Sequence, residues 1–584
     1  MSIKRVPLSK LKRFMPYLAN YKKEIFFGIL LGLTCGVSNV FLTYQIGVSV
    51  DLLLGKGLVD FSKLLVILGQ FLLILLVAVV SQFIIQKIGN QIAYQVVADL
   101  RKEAFEHLNQ LPLRYYDQTL HGTIVSRFTN DMDNISIAVA AVFNQLFSGF
   151  AVVIVALGFM LKLSLPLTCV VLVSTPIIFL VNWLVARSSQ ANFASQQAIV
   201  GEISGFINEM VGNQKIVKAF QREAENQVAF ETMNQELNVR GQKAQFASSL
   251  TNPSSRFIDH LAYLAIGFTG GCLILKGDSH LTIGIISSFF IYASQFSKPF
   301  IELSGITTQI QTAITGLERT FALLNEKPES PDLQTVAPVT NVQGKIQFKN
   351  VSFAYEKDQP LITDFNFTAE PGETIAIVGK TGAGKSTLVN LLMRFYEVDQ
   401  GMILLDNHDI REFPRDALRQ DFGMVLQDTW LFDGTLRDNL TYGNPQASDQ
   451  EIQAVLEKTY LADFVNRLPE KLATPLGSSG LKISEGQRQL LTIARTMLSH
   501  PPMLILDEAT SSVDTLTEKK IQDAFLTMMA GRTSFVIAHR LATIQTADQI
   551  LVMDQGKIVE QGTHQQLLQK NGYYAQLQQA QFSQ

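Results

Sequence analysis

Residues 374–395 read TIAIVGKTGAGKSTLVNLLMRF: a β-rich apolar run, a glycine-rich turn, then a helical run. The turn from Gly379 to Ser386 matches G-x-x-x-x-G-K-[ST]. Its place between a strand and a helix separates a phosphate-binding loop from a chance glycine cluster. Glycines let backbone N–H groups close around phosphate oxygens, and the N-terminus of the following helix adds positive potential. Gly379, Lys380, Thr381, Gly382, Ala383, Gly384, Lys385, Ser386 and Thr387 therefore form the candidate nucleotide cradle. Within it, Lys385 is positioned for the β- and γ-phosphates and Ser386 for Mg²⁺. A second element suits the same chemistry. Residues 503–508 read MLILDE, an apolar strand ending on two acids. Asp507 reads as the Mg²⁺ holder and Glu508 as the base that polarises an attacking water.

Around these motifs, residues 345–584 read as an α/β domain. Strand-like pieces (KIQFKNVSFAY, TSFVIAH, QILVMD) alternate there with helical ones. Residues 325–344, NEKPESPDLQTVAPVTNVQG, hold three prolines and read as a linker. Upstream the chain changes solvent. Six charge-poor runs, at about 24–50, 64–86, 136–161, 163–186, 257–275 and 281–307, are long enough to cross hydrocarbon. Helix is the form expected, because lipid offers the backbone no partners. Lys4, Arg5, Lys10, Lys12, Arg13, Lys22 and Lys23 put the N-terminus on the cytoplasmic side. The inward segments 87–133 and 187–256 are far longer than the outward ones, so the helices should extend well past the membrane. The expected fold is an all-α transmembrane domain with six spans over 1–324, then an α/β P-loop domain over 345–584.

Composition agrees. Of 584 residues, 47% are hydrophobic and only 17% charged, against about 25% charged in a typical soluble domain. Disorder and a collagen-like chain are excluded. The net charge of -3 gives no bulk attraction to nucleic acid, so no nucleic-acid partner is expected. Cys35, Cys169 and Cys272 all lie in apolar runs without a C-x-x-C, and read as small buried hydrophobes.

With these motifs in place, the second half resembles the nucleotide-binding domain of ATP-binding cassette (ABC) transporters. The whole chain, over about 1–580, resembles an ABC exporter half-transporter. The resemblance implies ATP and Mg²⁺ as ligands, and roles residue by residue. Tyr355, in VSFAY, would stack on adenine. Gln427, in MVLQDTWLF, would sense Mg²⁺ and the attacking water. Ser484, Gly486 and Gln487, in LKISEGQRQLL, would form the signature that faces the γ-phosphate held by a second cassette. Asp514, in SSVDT, would lie in the loop that crosses the dimer interface. His539, in VIAHR, would contact the γ-phosphate and orient Glu508. Two cassettes would close on two ATP molecules, and hydrolysis would let them open. The contact with the membrane domain would run through Tyr115–Gly122, and a second through about 215–225.

The chain departs from the family pattern in two places. Glu485 stands where the signature usually has glycine, and Ser478 where an upstream loop usually has glutamate. A carboxylate near a triphosphate adds like-charge repulsion. The departures suggest one subunit of a heterodimer with unequal ATP sites, a homodimer being the alternative. Six spans in this order resemble exporters of amphiphilic or hydrophobic compounds of the multidrug type. A flippase for lipids or lipid-linked compounds is the alternative. The expected setting is a bacterial cell membrane, with membrane lipid and a small amphiphilic substrate as further partners. Gln295, Lys298, Glu302, Ser304 and Thr307 near the sixth span, and Asp259 and His260 near the fifth, are candidates to line the path. Lys298 and Glu302, four apart on one helix, would alternatively pair with each other.

Overall fold

The computed structural model describes residues 8–53, 59–276, 281–332, 342–356, 358–427, 429–477, 480–507, 513–538 and 541–582. Its contacts divide the chain into two compact units. One is Met1–Leu111 with Thr119–Lys327; the other is Pro112–Gln118 with Pro328–Gln584.

The first unit is helical. Its elements are α1 (Leu8–Ala19), α2 (Lys22–Leu53), α3 (Phe61–Leu108), and, past the short α4 (Leu113–Gln118) of the second unit, α5 (His121–Leu163), α6 (Leu165–Gly212), α7 (Gln214–Ala219), α8 (Glu223–Ser249), α9 (Thr251–Leu275), α10 (Ile283–Gly305) and α11 (Thr307–Asn325). Helices α3 and α6 each run 48 residues without a break. At 1.5 Å per residue that is about 72 Å, more than twice a hydrocarbon core of about 30 Å. Among the described residues, five helices are long and apolar enough to cross a membrane: Lys22–Leu53, Phe61–Leu108, His121–Leu163, Leu165–Val185 and Pro253–Leu275.

Helix α10, the sixth expected span, is not among the five, because its serines, Gln295 and Lys298 lower its hydropathy. It carries polar side chains that are buried: Ser288 is 1% exposed, Ser297 2% and Tyr292 0%. Ser297 meets Thr175 Oγ1 of α6 at 3.4 Å, and the others bond to the neighbouring α2. The Ser288 hydroxyl donates to the Thr43 carbonyl (3.1 Å), the Tyr292 hydroxyl to the Val40 carbonyl (3.0 Å), and the Gln295 amide to Thr43 Oγ1 (2.9 Å). Partnered polar groups can lie inside a bundle at little penalty. At one end of the same pair, Asp51 of α2 accepts from Thr282 Oγ1 (2.6 Å) and from the Gly284 N–H (2.7 Å).

Gly28, Gly32 and Gly36, four residues apart, form a smooth face on α2. A Cβ on Gly28 would sit 2.7 Å from the Phe147 ring; one on Gly36 would sit 3.0 Å from Ala151 backbone; one on Gly32 would overlap the Phe147 carbonyl. Small residues let two helices approach closely in lipid. Phe147 lies in a π-helical turn of α5, Gln145–Gly149, and the Gln145 amide donates to the carbonyl of Pro299 inside α10 (2.9 Å).

Among the described residues the second unit contains a four-stranded sheet, a six-stranded sheet and a small two-stranded pair of Gly434–Thr435 with Pro475–Leu476. The four-stranded one is antiparallel and pairs β1 (Ile346–Phe353) with β2 (Ile362–Ala369) and β4 (Gln400–Leu405). The six-stranded one has the order β9-β8-β3-β7-β6-β5, with β3 (Thr374–Gly379), β5 (Phe422–Val425), β6 (Met503–Asp507), β7 (Thr533–Ile537), β8 (Gln549–Asp554) and β9 (Lys557–Gly562). All but β9 run parallel. Such strands are buried on both faces, and β7 reads TSFVI with every residue buried. The register aligns Ile377 of β3, Ile537 of β7 and Asp507 of β6. The carboxyl ends of the central strands thus converge, the usual place for a ligand in an open α/β sheet.

The proline-rich stretch is partly tied down. Arg415 donates to Asp332 (2.8 Å), the Ser330 carbonyl (2.6 Å) and Glu397 (2.8 Å), and Arg394 also donates to Glu397 (2.9 Å). Both arginines are buried. Proline content signals a boundary, but it does not show that residues 329–332 are already anchored to the cassette unit.

Candidate functional site

The glycine loop leaves β3 at Gly379 and enters α12 (Lys385–Leu392). Gly382 and Gly384 have φ of +84° and +96°, the left-handed region that suits glycine. Gly384 is the N-cap of α12, so the helix opens directly under the loop. Lys385 is 9% exposed and folds back across the loop, donating to the carbonyls of Gly379 (2.7 Å) and Lys380 (3.0 Å). Burial pushes its pKa below the ordinary lysine value, while the charge of Asp507 acts in the opposite sense. The ammonium is therefore desolvated and held at the loop where phosphate oxygens would enter. Thr381, Gly382 and Ser386 are exposed; Ala383 and Thr387 are buried beneath. Lys380 lies 5.7 Å from the centroid of the Tyr573 ring.

Ser386, Asp507 and Gln427 offer a hydroxyl, a carboxylate and an exposed amide, all hard oxygen donors of the kind Mg²⁺ takes. Asp507 ends β6, one strand removed from β3, whose carboxyl end carries the loop. Glu508, His539 and Ser478 lie outside the described residues.

Tyr355 is half-buried, edge-on to Phe353 and Tyr396, each 4.9 Å away between centroids. Its hydroxyl accepts from Asn390 on α12 (2.9 Å). Its carbonyl accepts from Arg114 (2.9 Å), and the Tyr396 hydroxyl donates to Asp117 (2.5 Å). Burial and the Asp117 carboxylate both raise the Tyr396 pKa. Arg114 and Asp117 belong to α4, which the contacts place within the cassette unit. The sequence suggests Tyr115–Gly122 as the contact with the membrane domain; the bonds made within the cassette unit come from Arg114 and Asp117, and no local pattern marks them.

Ser484 is the N-cap of α13 (Glu485–Leu498). Its hydroxyl accepts from the Gln487 N–H (3.2 Å), and the Gln487 side chain accepts from the Ser484 N–H (3.0 Å). That is a capping box, and S-x-x-Q in the sequence is its signal. Gly486 is buried where a Cβ would press on Thr517 and lie 3.1 Å from Val513. Asp514 caps the helix Thr515–Met529, accepting from the Thr517 N–H (3.0 Å), and these backbone donors lower its pKa.

In the helical unit, Gln295 bonds to Thr43 as described, and Lys298 pairs with Glu302 at 3.8 Å, both exposed. Asp259 is half-buried; His260 is exposed, its ring 5.8 Å from that of Tyr263. The side chains of Ser304 and Thr307 lie outside the described ones.

With this geometry in hand, comparison with known proteins is specific. A family described as "ABC transporter transmembrane region" matches residues 25–300, and one described as "ABC transporter" matches residues 362–511. The chain is 40% identical over 523 residues to a fatty acid ABC transporter ATP-binding/permease protein of Mycobacterium bovis, covering 90% of this chain and 82% of that one. It is 35% identical over 491 residues to an ATP-dependent lipid A-core flippase of Syntrophus aciditrophicus, covering 84% and 81%. The solved structure of a bacterial Atm1-family ABC exporter with ATP bound superposes with a TM-score of 0.77 at 27% identity, covering 97% of this chain and 99% of that one.

Proposed function

Since the chain belongs to the ABC transporters, with an exporter's membrane helices and an ATPase domain that powers transport, we propose that it exports amphiphilic or hydrophobic compounds across the cell membrane, and that the favoured cargo carries an acyl chain. The observation that carries the ATP half of this reading is Lys385, desolvated and folded onto the carbonyls of its own glycine loop. The cargo reading is supported by the two relatives named for lipidic substrates. It is also supported by an almost wholly apolar cavity of about 490 Å³ between α6 and α9, lined by Val173, Ile177, Ile258, Leu261 and Ala262 among others. The broader multidrug range is the alternative.

In this mechanism the N–H groups of Gly379–Thr387 hold the triphosphate, and Lys385 leaves its loop carbonyls for the phosphate oxygens. Tyr355 offers its ring to adenine. Ser386, Asp507 and Gln427 would hold Mg²⁺, which when bound neutralises charge on the phosphate oxygens. Glu508 takes the proton of the attacking water, and His539 orients that carboxylate. ABC exporters work as dimers, so Ser484, Gly486 and Gln487 would face a nucleotide on the other subunit, with Asp514 at the interface. The unusual Glu485 supports a heterodimer. Arg114 and Asp117 of α4 would carry the motion to the helical unit. So would α7, whose neighbourhood exposes Ile216 and Phe220.

The test is ATP hydrolysis and transport in proteoliposomes carrying the chain with its co-expressed partner. Glu508→Gln should keep ATP binding and stop phosphate release. A fluorescent fatty acid should stimulate turnover and accumulate inside inverted vesicles. Stimulation by cationic dyes alone would shift the cargo to the multidrug range. Unchanged phosphate release in the Gln variant would remove Glu508 as the base.

A further inference from the structure

Glu485 places a carboxylate at the first position of α13, where the family resemblance has glycine. If that charge faced a triphosphate it would repel it. The structure turns it elsewhere. Thr429 Oγ1 donates to Glu485 Oε1 at 2.8 Å, and Arg488 Nη1 lies 3.4 Å from Oε2. Arg488 places a positive charge beside it within one helical turn. Thr429 stands two residues after Gln427 in the loop that follows β5.

Further along, the same helix holds that loop once more and also the strand β5 that leads into it. Arg495 Nη1 donates to the Trp430 carbonyl (3.2 Å), and its guanidinium lies 5.6 Å and 5.7 Å from the ring centroids of Phe432 and Tyr442. Thr496 Oγ1 donates to the Met424 carbonyl (3.3 Å). Neither of these two bonds involves the side chain at position 485. The third, at the tip of the helix next to Ser484, needs an acceptor on the side chain there, which glycine lacks.

We propose that Glu485 is a positioning residue. Its carboxylate pins the signature end of α13 to the loop that carries Gln427. A movement of that loop caused by this chain's own nucleotide is then passed to the segment that faces the other subunit's nucleotide. The substitution of glycine by glutamate thus links two ATP sites rather than only weakening one. The proposal rests on the two-cassette reading above. The pin itself is a contact within one chain and is measured without nucleotide.

The chain has two tryptophans, Trp183 and Trp430, and Trp430 adjoins Thr429. In a Trp183→Phe background, paired with a partner whose own tryptophans are replaced by phenylalanine, the full-length chain reports on this loop alone. Glu485→Gly and Thr429→Val should each raise acrylamide quenching of Trp430. Loss of one exposed hydrogen bond of this kind shifts a local opening equilibrium by about two- to tenfold. Both should also lower the Hill coefficient for ATP in phosphate release. Glu485→Gln keeps an acceptor for Thr429 and should stay near the parent in both measurements. If Glu485→Gln matched Glu485→Gly while Thr429→Val matched the parent, the charge would act on nucleotide directly and the pin would be rejected. Equal quenching in all variants would reject it too. A parent complex that bound no ATP would instead overturn the two-cassette reading, and the nucleotide-free quenching would still judge the pin.

Discussion

The two units place their polar groups by different rules. In the cassette, the chemistry sits on turns at the carboxyl ends of parallel strands, and each turn is continuous in sequence. Gly379 to Thr387 is one strand–turn–helix passage. In the helical unit the polar groups are buried between helices and meet across long sequence separations, as Ser288 meets the Thr43 carbonyl and Tyr292 that of Val40. The first arrangement exposes donors to a ligand. The second hides them from lipid and fixes which helix faces which. A substitution in the cassette loop should therefore abolish turnover and leave the fold intact. One between helices should damage assembly first and turnover only as a consequence.

The largest effect is expected at Lys385. Lys385→Ala removes the cation held at the loop carbonyls, and ATP turnover should fall by about 100-fold or more, as when a charge-stabilising donor is removed from other active sites. Thermal unfolding monitored in detergent should change little, because Lys385 makes its hydrogen bonds only within the loop. A large loss of folded protein would erase the distinction between the units.

Next comes the α2 face. Gly32→Leu would drive a side chain into the Phe147 carbonyl, with backbone on both sides of the clash. Overpacking of this kind costs about 1–3 kcal/mol or more. The yield of folded protein should drop and the melting temperature fall, while ATP affinity of the surviving fraction stays unchanged. Gly69→Leu is the control, since its Cβ would meet nothing within 4 Å. If both variants behaved alike, close helix approach at Gly32 would not be the cause.

This contrast also sets what the sequence reveals. Gly379–Thr387 and Ser484–Gln487 are legible because the side chains that act together are neighbours in the chain, and their spacing is itself the geometry. Asp507 is legible because an apolar strand must end at the edge of a sheet. Arg114 and Asp117 are not: they meet Tyr355 and Tyr396 from more than 240 residues away, and a six-residue helix has no periodicity to read. Gly28, Gly32 and Gly36 are legible as G-x-x-x-G repeats, yet they pass unnoticed when the run is scored only for its lack of charge. Helix α10 errs in the other direction. Hydropathy penalises its Ser288, Ser297 and Tyr292, although the bundle satisfies them where they lie.

The smallest effect tests the end of that interface. Asp51 joins α2 to the start of α10 through Thr282 and the Gly284 N–H. Its carboxylate satisfies a backbone donor at a helix N-terminus, a service that typically contributes about 1 kcal/mol. Gly47 and Gly284 meet backbone to backbone beside it, so neither of these two residues adds a side chain to the packing there. Asp51→Ala should therefore lower the melting temperature only slightly but let the two ends separate more often. A disulfide between cysteines introduced at Val48 and Ile285 should form more slowly than in the parent. Asp51→Asn retains one carbonyl acceptor and should fall between the two. If Asp51→Ala cross-linked as fast as the parent, backbone contact at the paired glycines would be enough to hold the helix ends, and the carboxylate would be incidental to the join.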